Sequence, residues 1–320
     1  LEVLDVTDPA APRWIGRYDS VGTACDVEVV GTRAYVADGS AGLLVLDVTD
    51  PTSPAKIGGV DTSGDAWHVR VIGDRAYVAD GSAGLQIIDV SNPAVPRILG
   101  RFATQGYARR VDVVGPMAYV ADTSRGLLQV RVDNPASPQL VRRTPSNWMA
   151  AGVFADGNRV WGTDGLLLVQ PGPGSGFNST RAQGGVDVVA LGDRVYAAAG
   201  DFGFRVVDVT DIWNATVIGT FRLPAYAQSI RVSGDLAFVA NDIVGLQIHR
   251  IREGLTQTLK FDPVARLELT HPSIQLEATA SSGMPVTFEL LGGPAALVGN
   301  QLTLTNAGAV VVRARQEGNA

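Results

Sequence analysis

The sequence predicts an all-β chain: a β-propeller followed by a small immunoglobulin-like β-sandwich. Three observations carry the prediction. A landmark aspartate recurs every 42 residues, as Asp5, Asp47 and Asp89 in LDVTDP, LDVTDP and IDVSNP. The segment ahead of it recurs at the same interval, as VGTRAYVADGSAGL from Val30 and IGDRAYVADGSAGL from Ile72, with a third copy, VGPMAYVADTSRGL, from Val114. Each unit also holds four short runs rich in Val, Ile and Tyr, bounded by Gly, Asp and Pro. Four short strands repeating at about 40–45 residues is propeller spacing.

The first full unit shows the order. DVEVV at 26–30 is followed by a turn and AYVAD at 34–38; a glycine-bearing loop leads to LLVLDV at 43–48, and a T/S-D/N-P turn to AKIGGVD at 55–61. LLVLDV is too continuously apolar for a sheet wet on one face, and fits a strand held between neighbouring blades. Degenerate copies follow as GNRVWGTDGL from Gly157, GDRVYAAAGDFGF from Gly192 and GDLAFVANDIVGL from Gly234. The recurrent residues read as structural. Gly42 and Gly84 suit positive φ or close approach. Asp47 and Asp89 suit capping of their own turns, and Tyr35, Tyr77 and Tyr119 suit the core between blades.

Six copies of the first strand pair predict six blades, with residues 11–18 completing the last sheet so that no edge is left open. The alternative is a seventh blade whose first half lies upstream of Leu1. The opening LEVLDV reads as the middle of a repeat, so the sequence is expected to belong to a longer chain with adjoining domains. The fourth repeat departs most: QPGPGSGFNSTRA at 170–182 has no aspartate-proline turn and carries the sequon Asn178-Ser179-Thr180. The propeller is assigned to residues 1–261 and the sandwich to 262–320. In the latter QLEATA, PVTFELL, ALVG, QLTLTN and AVVVRARQ alternate with turns at Gly283, Gly292-Gly293-Pro294 and Gly299-Asn300.

Composition narrows the function. A formal charge of -6 argues against a broad nucleic-acid footprint. One cysteine, Cys25, excludes an intrachain disulfide, and no apolar run reaches the length of a membrane span. The three histidines form no metal motif, no DxDxDG calcium loop or G-x-S-x-G elbow occurs, and no nucleotide or haem motif is present. No metal, cofactor or catalytic residue is therefore assigned. A Cys25–His68 pair, an Asp26–Asp187 pair and an Asp26–Asp187–His68 metal site are the arrangements that suggest chemistry, the last only if the ring brings the three within a few ångströms.

Ligands do not share a ring's pseudo-symmetry, so functional residues should break the repeat. Just before each inner strand, one position holds Asp26, His68, Arg110, Gly152, Asp187 and Ser229. The position ahead of it holds Cys25, Trp67, Arg109, Ala151, Val186 and Gln228. Both columns vary beside a constant apolar neighbour. Asp26, Trp67, His68, Arg109, Arg110, Asp187 and Gln228 are thus the candidate ligand-binding residues around one opening.

GLLVLDVTDP, GLQIIDVSNP and GFRVVDVTD, each after AYVAD or its variant, resemble the LVIVD repeat of bacterial surface and secreted proteins. That resemblance implies a propeller and transfers no catalytic residue. The segment from LEATASSGMPVTF to RARQEGNA resembles bacterial immunoglobulin-like domains of the MBG type. Together they imply an extracellular or cell-surface location. The leading expectation is a non-enzymatic binding, adhesion or scaffold module with a protein or glycan partner at the propeller rim. The alternatives are a hydrolase or lyase acting on a polymer at the channel mouth, and a structural component of a surface layer.

Overall fold

In the computed structural model, the residues described are 1–144, 150–157, 159–163, 166–170, 178–183, 185–251, 259–261, 273–280 and 286–315. The chain divides into two units, Leu1–Ile251 and Arg252–Ala320.

The first unit is built of antiparallel sheets in chain order. It opens with a hairpin, β1 (Glu2–Asp5) and β2 (Arg13–Arg17). Five four-stranded sheets follow. The first is β3 (Asp26–Val30), β4 (Arg33–Ala37), β5 (Leu43–Asp47) and β6 (Ala55–Val60). The second is β7 (His68–Ile72), β8 (Arg75–Ala79), β9 (Leu85–Asp89) and β10 (Arg97–Phe102). The third is β11 (Ala108–Val114), β12 (Met117–Asp122), β13 (Gly126–Arg131) and β14 (Gln139–Thr144). The fourth is β15 (Gly152–Ala155), β16 (Val160–Thr163), β17 (Leu166–Gln170) and β18 (Asn178–Gln183). The fifth is β19 (Asp187–Leu191), β20 (Arg194–Ala198), β21 (Phe204–Asp208) and β22 (Thr216–Phe221). A three-stranded sheet closes the unit: β23 (Ala227–Ser233), β24 (Leu236–Asn241) and β25 (Gly245–Arg250).

Each sheet is a blade, and its local chemistry repeats. The turn between the first two strands takes glycine at positive φ, at Gly31, Gly73, Gly115, Gly192 and Gly234. The aspartates of the LDVTDP turns cap their own backbone: Asp5, Asp47, Asp89 and Asp208 each accept the N–H two residues on. The aspartate ending AYVAD anchors the loop that enters its blade. Asp80, fully buried, accepts from the Thr62 hydroxyl at 2.6 Å and from the Gly64 N–H at 3.1 Å. Asp38 does the same with Ser20 and Gly22.

The core lies between blades. Tyr35, Ala37, Leu43 and Val45 of one blade pack on Val69, Val71, Ala76 and Val78 of the next, and Tyr77, Ala79, Leu85 and Ile87 pack likewise on Val111, Val113, Ala118 and Val120. The outer strands are locked by a close approach. A Cβ on Gly58 would stand 2.4 Å from the carbonyl oxygen of Pro93 in the following blade's turn, and one on Gly100 would stand 1.9 Å from that of Pro135. Any side chain there would force the blades apart.

Two expectations change. Residues 11–18 do not complete the last sheet: β2 pairs with β1, and no described strand pairs with the outer edge of β25. The boundary at 261/262 moves back to 251/252, because the strand at Leu259–Phe261 pairs with Ala278–Ala280 and so belongs to the second unit. The remaining strands of that unit pair as Ser273–Gln275 with Gln301–Leu304, the latter also with Ala295–Val298, and Thr287–Gly292 with Val311–Arg315. The sequon at Asn178 lies on β18, whose side chains fall outside the described residues.

Candidate functional site

The innermost strands β3, β7, β11, β15, β19 and β23 start at one end of the ring. Their first residues, with the loops leading into them, surround a cleft of about 1220 Å³. Asp26, Trp67, Arg109, Arg110 and Gln228 line it, together with Cys25, Tyr107, Thr123, Tyr226, Ser229 and Arg231. The other two candidates, His68 and Asp187, lie buried just beneath. All seven residues singled out from the repeat columns therefore meet at one end of the ring, in two layers that differ in chemistry.

The floor is a charge network on the inner strands. The Asp26 carboxylate stands 3.5 Å from His68 Nε2 and accepts the Val69 N–H. Asp187 is the most heavily engaged group. It accepts from the Ser229 hydroxyl at 2.6 Å and the Ile230 N–H at 3.0 Å, and it pairs with Arg231 at 3.0 Å and Arg110 at 3.4 Å. Burial alone would raise its pKa; the two guanidiniums and these hydrogen bonds outweigh burial and hold the carboxyl below its ordinary value. Deeper in the channel Arg70 bridges Glu28 at 2.8 Å and Asp112 at 2.9 Å. Burial pushes both of these carboxyls up, with Arg70 opposing.

Several of these carboxylates also bond to the backbone of the next blade: Asp26 to Val69, Glu28 to Val71, Asp112 to Ala155 and Asp187 to Ile230. The floor thus pins inner strands to one another. His68 is buried, and desolvation, helped by Arg110 and Arg231 against Asp26 and Asp187, lowers its pKa to about 4. It is neutral at neutral pH.

The rim is different. The Arg109 guanidinium lies 4.1 Å above the Trp67 ring. Trp67 Nε1 donates to the Tyr107 hydroxyl at 2.6 Å, and the two rings meet edge to face at 6.1 Å. Tyr107 in turn donates to Asp65 at 3.4 Å. A β-bulge between Ala108 and Arg110 re-aims the start of β11, so the adjacent Arg109 and Arg110 serve different layers. Arg110 enters the floor, whereas Arg109 has no carboxylate within ion-pair distance among the described residues. Burial first, and then the charge of Arg110, lower the pKa of Arg109. The Cys25 thiol donates to the Thr23 carbonyl, and desolvation raises its pKa against the pull of Arg109. It is no activated nucleophile, and its hydrogen bond goes to Thr23 and not to His68.

The repeat columns missed Tyr107, Tyr226 and Arg231. Tyr107 and Tyr226 share a column with Thr23 and Asp65, two positions ahead of the column of Cys25, Trp67, Arg109 and Gln228. Two positions after the column of Asp26, His68, Arg110 and Ser229, Arg231 shares one with Glu28, Arg70 and Asp112. Period-two alternation puts that last column on the channel face, a signal present in the sequence.

Among the described residues no group of three or more His, Cys, Asp or Glu side chains could hold a metal ion. No described helix is long and apolar enough to cross a membrane.

Residues 21–62, 63–104, 105–144 and 224–248 match the family model of the LVIVD repeat. These four segments are LVIVD repeats. No curated protein matches the chain in sequence. Solved structures share the fold. A chain of the mitotic checkpoint complex aligns with a TM-score of 0.65 at 10% identity, over 77% of this chain and 80% of its own. A functionally unknown protein from Desulfotomaculum acetoxidans DSM 771 aligns at 0.62 and 12% identity, over 74% and 86%. BamB from Moraxella catarrhalis aligns at 0.55 and 11% identity, over 75% and 87%. At such identities the likeness is one of fold. LVIVD repeats therefore build an all-β ring of antiparallel blades.

Proposed function

We propose that the ring is a non-enzymatic binding module of an exported or cell-surface protein, and that its ligand seats on the rim of the channel mouth. The observation that carries this reading is the Arg109–Trp67–Tyr107 cluster. It is a preorganised aromatic shelf bearing a cation without a carboxylate partner among the described residues, at the edge of an open cleft. Rigid aromatic and arginine groups bind at low ordering cost, because their geometry is set before the ligand arrives. The unpaired guanidinium favours a ligand with an acidic group, either an acidic segment of a protein or a carboxylated glycan. The second unit, read as an immunoglobulin-like sandwich, acts as a spacer.

The floor argues against the hydrolase reading. Asp26 and Asp187 would be its acid–base pair, but Asp187 is saturated with donors and Arg231 lies between the two carboxylates, 4.0 Å from Asp26. A general acid needs a carboxyl poised to give up a proton near working pH. Titration of acidic peptide and glycan arrays tests the proposal. Acidic members are expected to bind, and Arg109→Ala and Trp67→Ala to abolish the signal. Failure of every ligand, together with ordered self-assembly of the chain, would instead support the surface-layer reading.

A further inference from the structure

We infer that the mouth takes a peptide segment carrying a basic side chain as well as an acidic one, the acid seating on Arg109 and the base on a second seat formed by Tyr226, Asp201 and Asp242. Given the rim as the ligand's place, as proposed above, the ligand narrows from acidic polymers in general to a peptide of mixed charge.

Two of the six entries to the inner strands carry a tyrosine, Tyr107 at β11 and Tyr226 at β23, and the two are seated alike. Each ring lies against a positive-φ glycine of the preceding blade. A Cβ on Gly81 would stand 3.0 Å from the Tyr107 ring, and one on Gly200 would stand 2.8 Å from the Tyr226 ring. Each tyrosine also accepts, at its carbonyl oxygen, an N–H from the loop after its own blade's second strand: Thr123 donates to Tyr107 at 3.0 Å and Asp242 to Tyr226 at 3.1 Å. The bulge that re-aims β11 recurs in β23, between Ala227 and Ser229, so Gln228 stands where Arg109 does.

The seats match in backbone and differ in charge. Arg109 of the first gives way to Gln228 in the second, Thr123 to Asp242, and Ser82, next to Gly81, to Asp201, next to Gly200. The first seat thus carries an unpaired cation and the second two carboxylates. Asp201 and Asp242 are exposed and line the cleft. Among the described residues neither has a cation within ion-pair distance, and the Tyr226 hydroxyl has no hydrogen-bond partner. Departures from the repeat are therefore left unsatisfied at both seats, whereas those of the floor satisfy one another. The seats open on one cleft. Arg110, next to Arg109, reaches the Gln228 carbonyl at 3.3 Å, and the Tyr226 phenol is near enough to bear on the charge of Arg109.

Opposite charges on one short segment are what a peptide supplies and a uronate chain does not. A uronate chain repeats one sign of charge, and its further carboxylates would come within a Debye length of Asp201 and Asp242. A sugar ring also stacks on an open aromatic face. Here the Arg109 guanidinium covers one face of Trp67, and Gly81 and Gly200 lie against the two tyrosines. A basic side chain asks less of the second seat: the two carboxylates pair with it and the Tyr226 ring lies alongside. The cleft of about 1220 Å³ exceeds a pocket for one small molecule and has room for a segment of several residues.

The test is titration of the full chain with three sets of probes: short peptides carrying one Glu and one Lys at every spacing in a Gly-Ser background, the same peptides with Gln in place of Lys, and oligogalacturonate. The best Glu–Lys peptide should bind at least about tenfold tighter than its Glu–Gln counterpart, and Arg109→Ala should weaken both. Asp201→Asn combined with Asp242→Asn should erase the difference between the two peptides and leave the Glu–Gln affinity the same or tighter. Tm should stay nearly unchanged, because both carboxylates are exposed and unpaired. Equal binding of the two peptides, a Glu–Lys preference that survives the double variant, or oligogalacturonate binding as tightly as the best Glu–Lys peptide would overturn the mixed-charge peptide. The rim would still stand as the ligand's place if Arg109→Ala weakened whatever bound. Binding indifferent to Arg109→Ala, or no binding by any probe, would overturn the rim reading and the mixed-charge peptide with it.

Discussion

Trp67 and His68 are neighbours in sequence, and so are Arg109 and Arg110, yet the members of each pair belong to different regimes. His68 and Arg110 enter a buried network whose carboxylates bond to the backbone of adjacent blades. Trp67 and Arg109 stack on each other at the open mouth. Both columns break the repeat. In the floor the break supplies complementary charge where six strands converge, and it is used up in holding the ring together. At the rim the break leaves chemistry facing solvent. Departure from a repeat thus marks function only where the departing side chains are not already satisfied by one another.

The sharpest way to break this comparison is Asp187→Ala. It would strand two arginines and the Ser229 and Ile230 donors, so a loss of about 3–5 kcal/mol is expected, seen as a Tm fall on the order of 10 °C. A variant that unfolds at its normal temperature would remove the floor from the account of stability.

A smaller effect comes from His68. Its folded pKa of about 4 lies below the 6.5 of a free histidine, so its contribution is fully present above pH 6.5. It is lost as pH falls toward 4, because the unfolded chain takes up the proton first. The loss approaches about 3 kcal/mol. Glu28 and Asp112, pushed up by burial, act in the opposite sense at acid pH. The difference between the chain and His68→Gln in denaturant melts across pH 7 to 4 therefore isolates the histidine, and parallel curves would contradict the assignment.

Smaller again in stability, but larger in binding, are the rim changes. Trp67→Ala and Arg109→Ala should each weaken an acidic ligand by at least about tenfold, roughly 1.4 kcal/mol. Isothermal titration reads the change. Gln228→Ala, at an exposed edge of the cleft, should shift stability by no more than about 0.5 kcal/mol and serves as the baseline.

The blades were legible because glycine turns, aspartate-capped turns and apolar strands recur at a fixed interval. Seven mouth residues were legible because their columns vary beside a constant valine or isoleucine. Tyr107 and Arg231 were not found, since they sit two positions to either side of the columns compared. The pairing of β2 was misread for a different reason. Spacing shows that residues 13–17 are a fourth strand, but the partner of that strand depends on which third strand lies beside it, and β1 supplies one by a short local turn. The use of Asp187 was hidden as well. Its partners Arg110 and Arg231 are brought to it by ring geometry, not by sequence spacing.

The most direct test measures binding and stability together for one residue from each layer, using the best acidic ligand from the arrays. Arg109→Ala should lose binding at least about tenfold with Tm nearly unchanged, while Asp187→Asn should lower Tm and leave the rim's affinity for that ligand, measured below the transition, within about threefold. The opposite pattern, with Arg109→Ala melting early and still binding, would contradict the division of the channel mouth into a floor that holds the ring and a rim that takes the ligand.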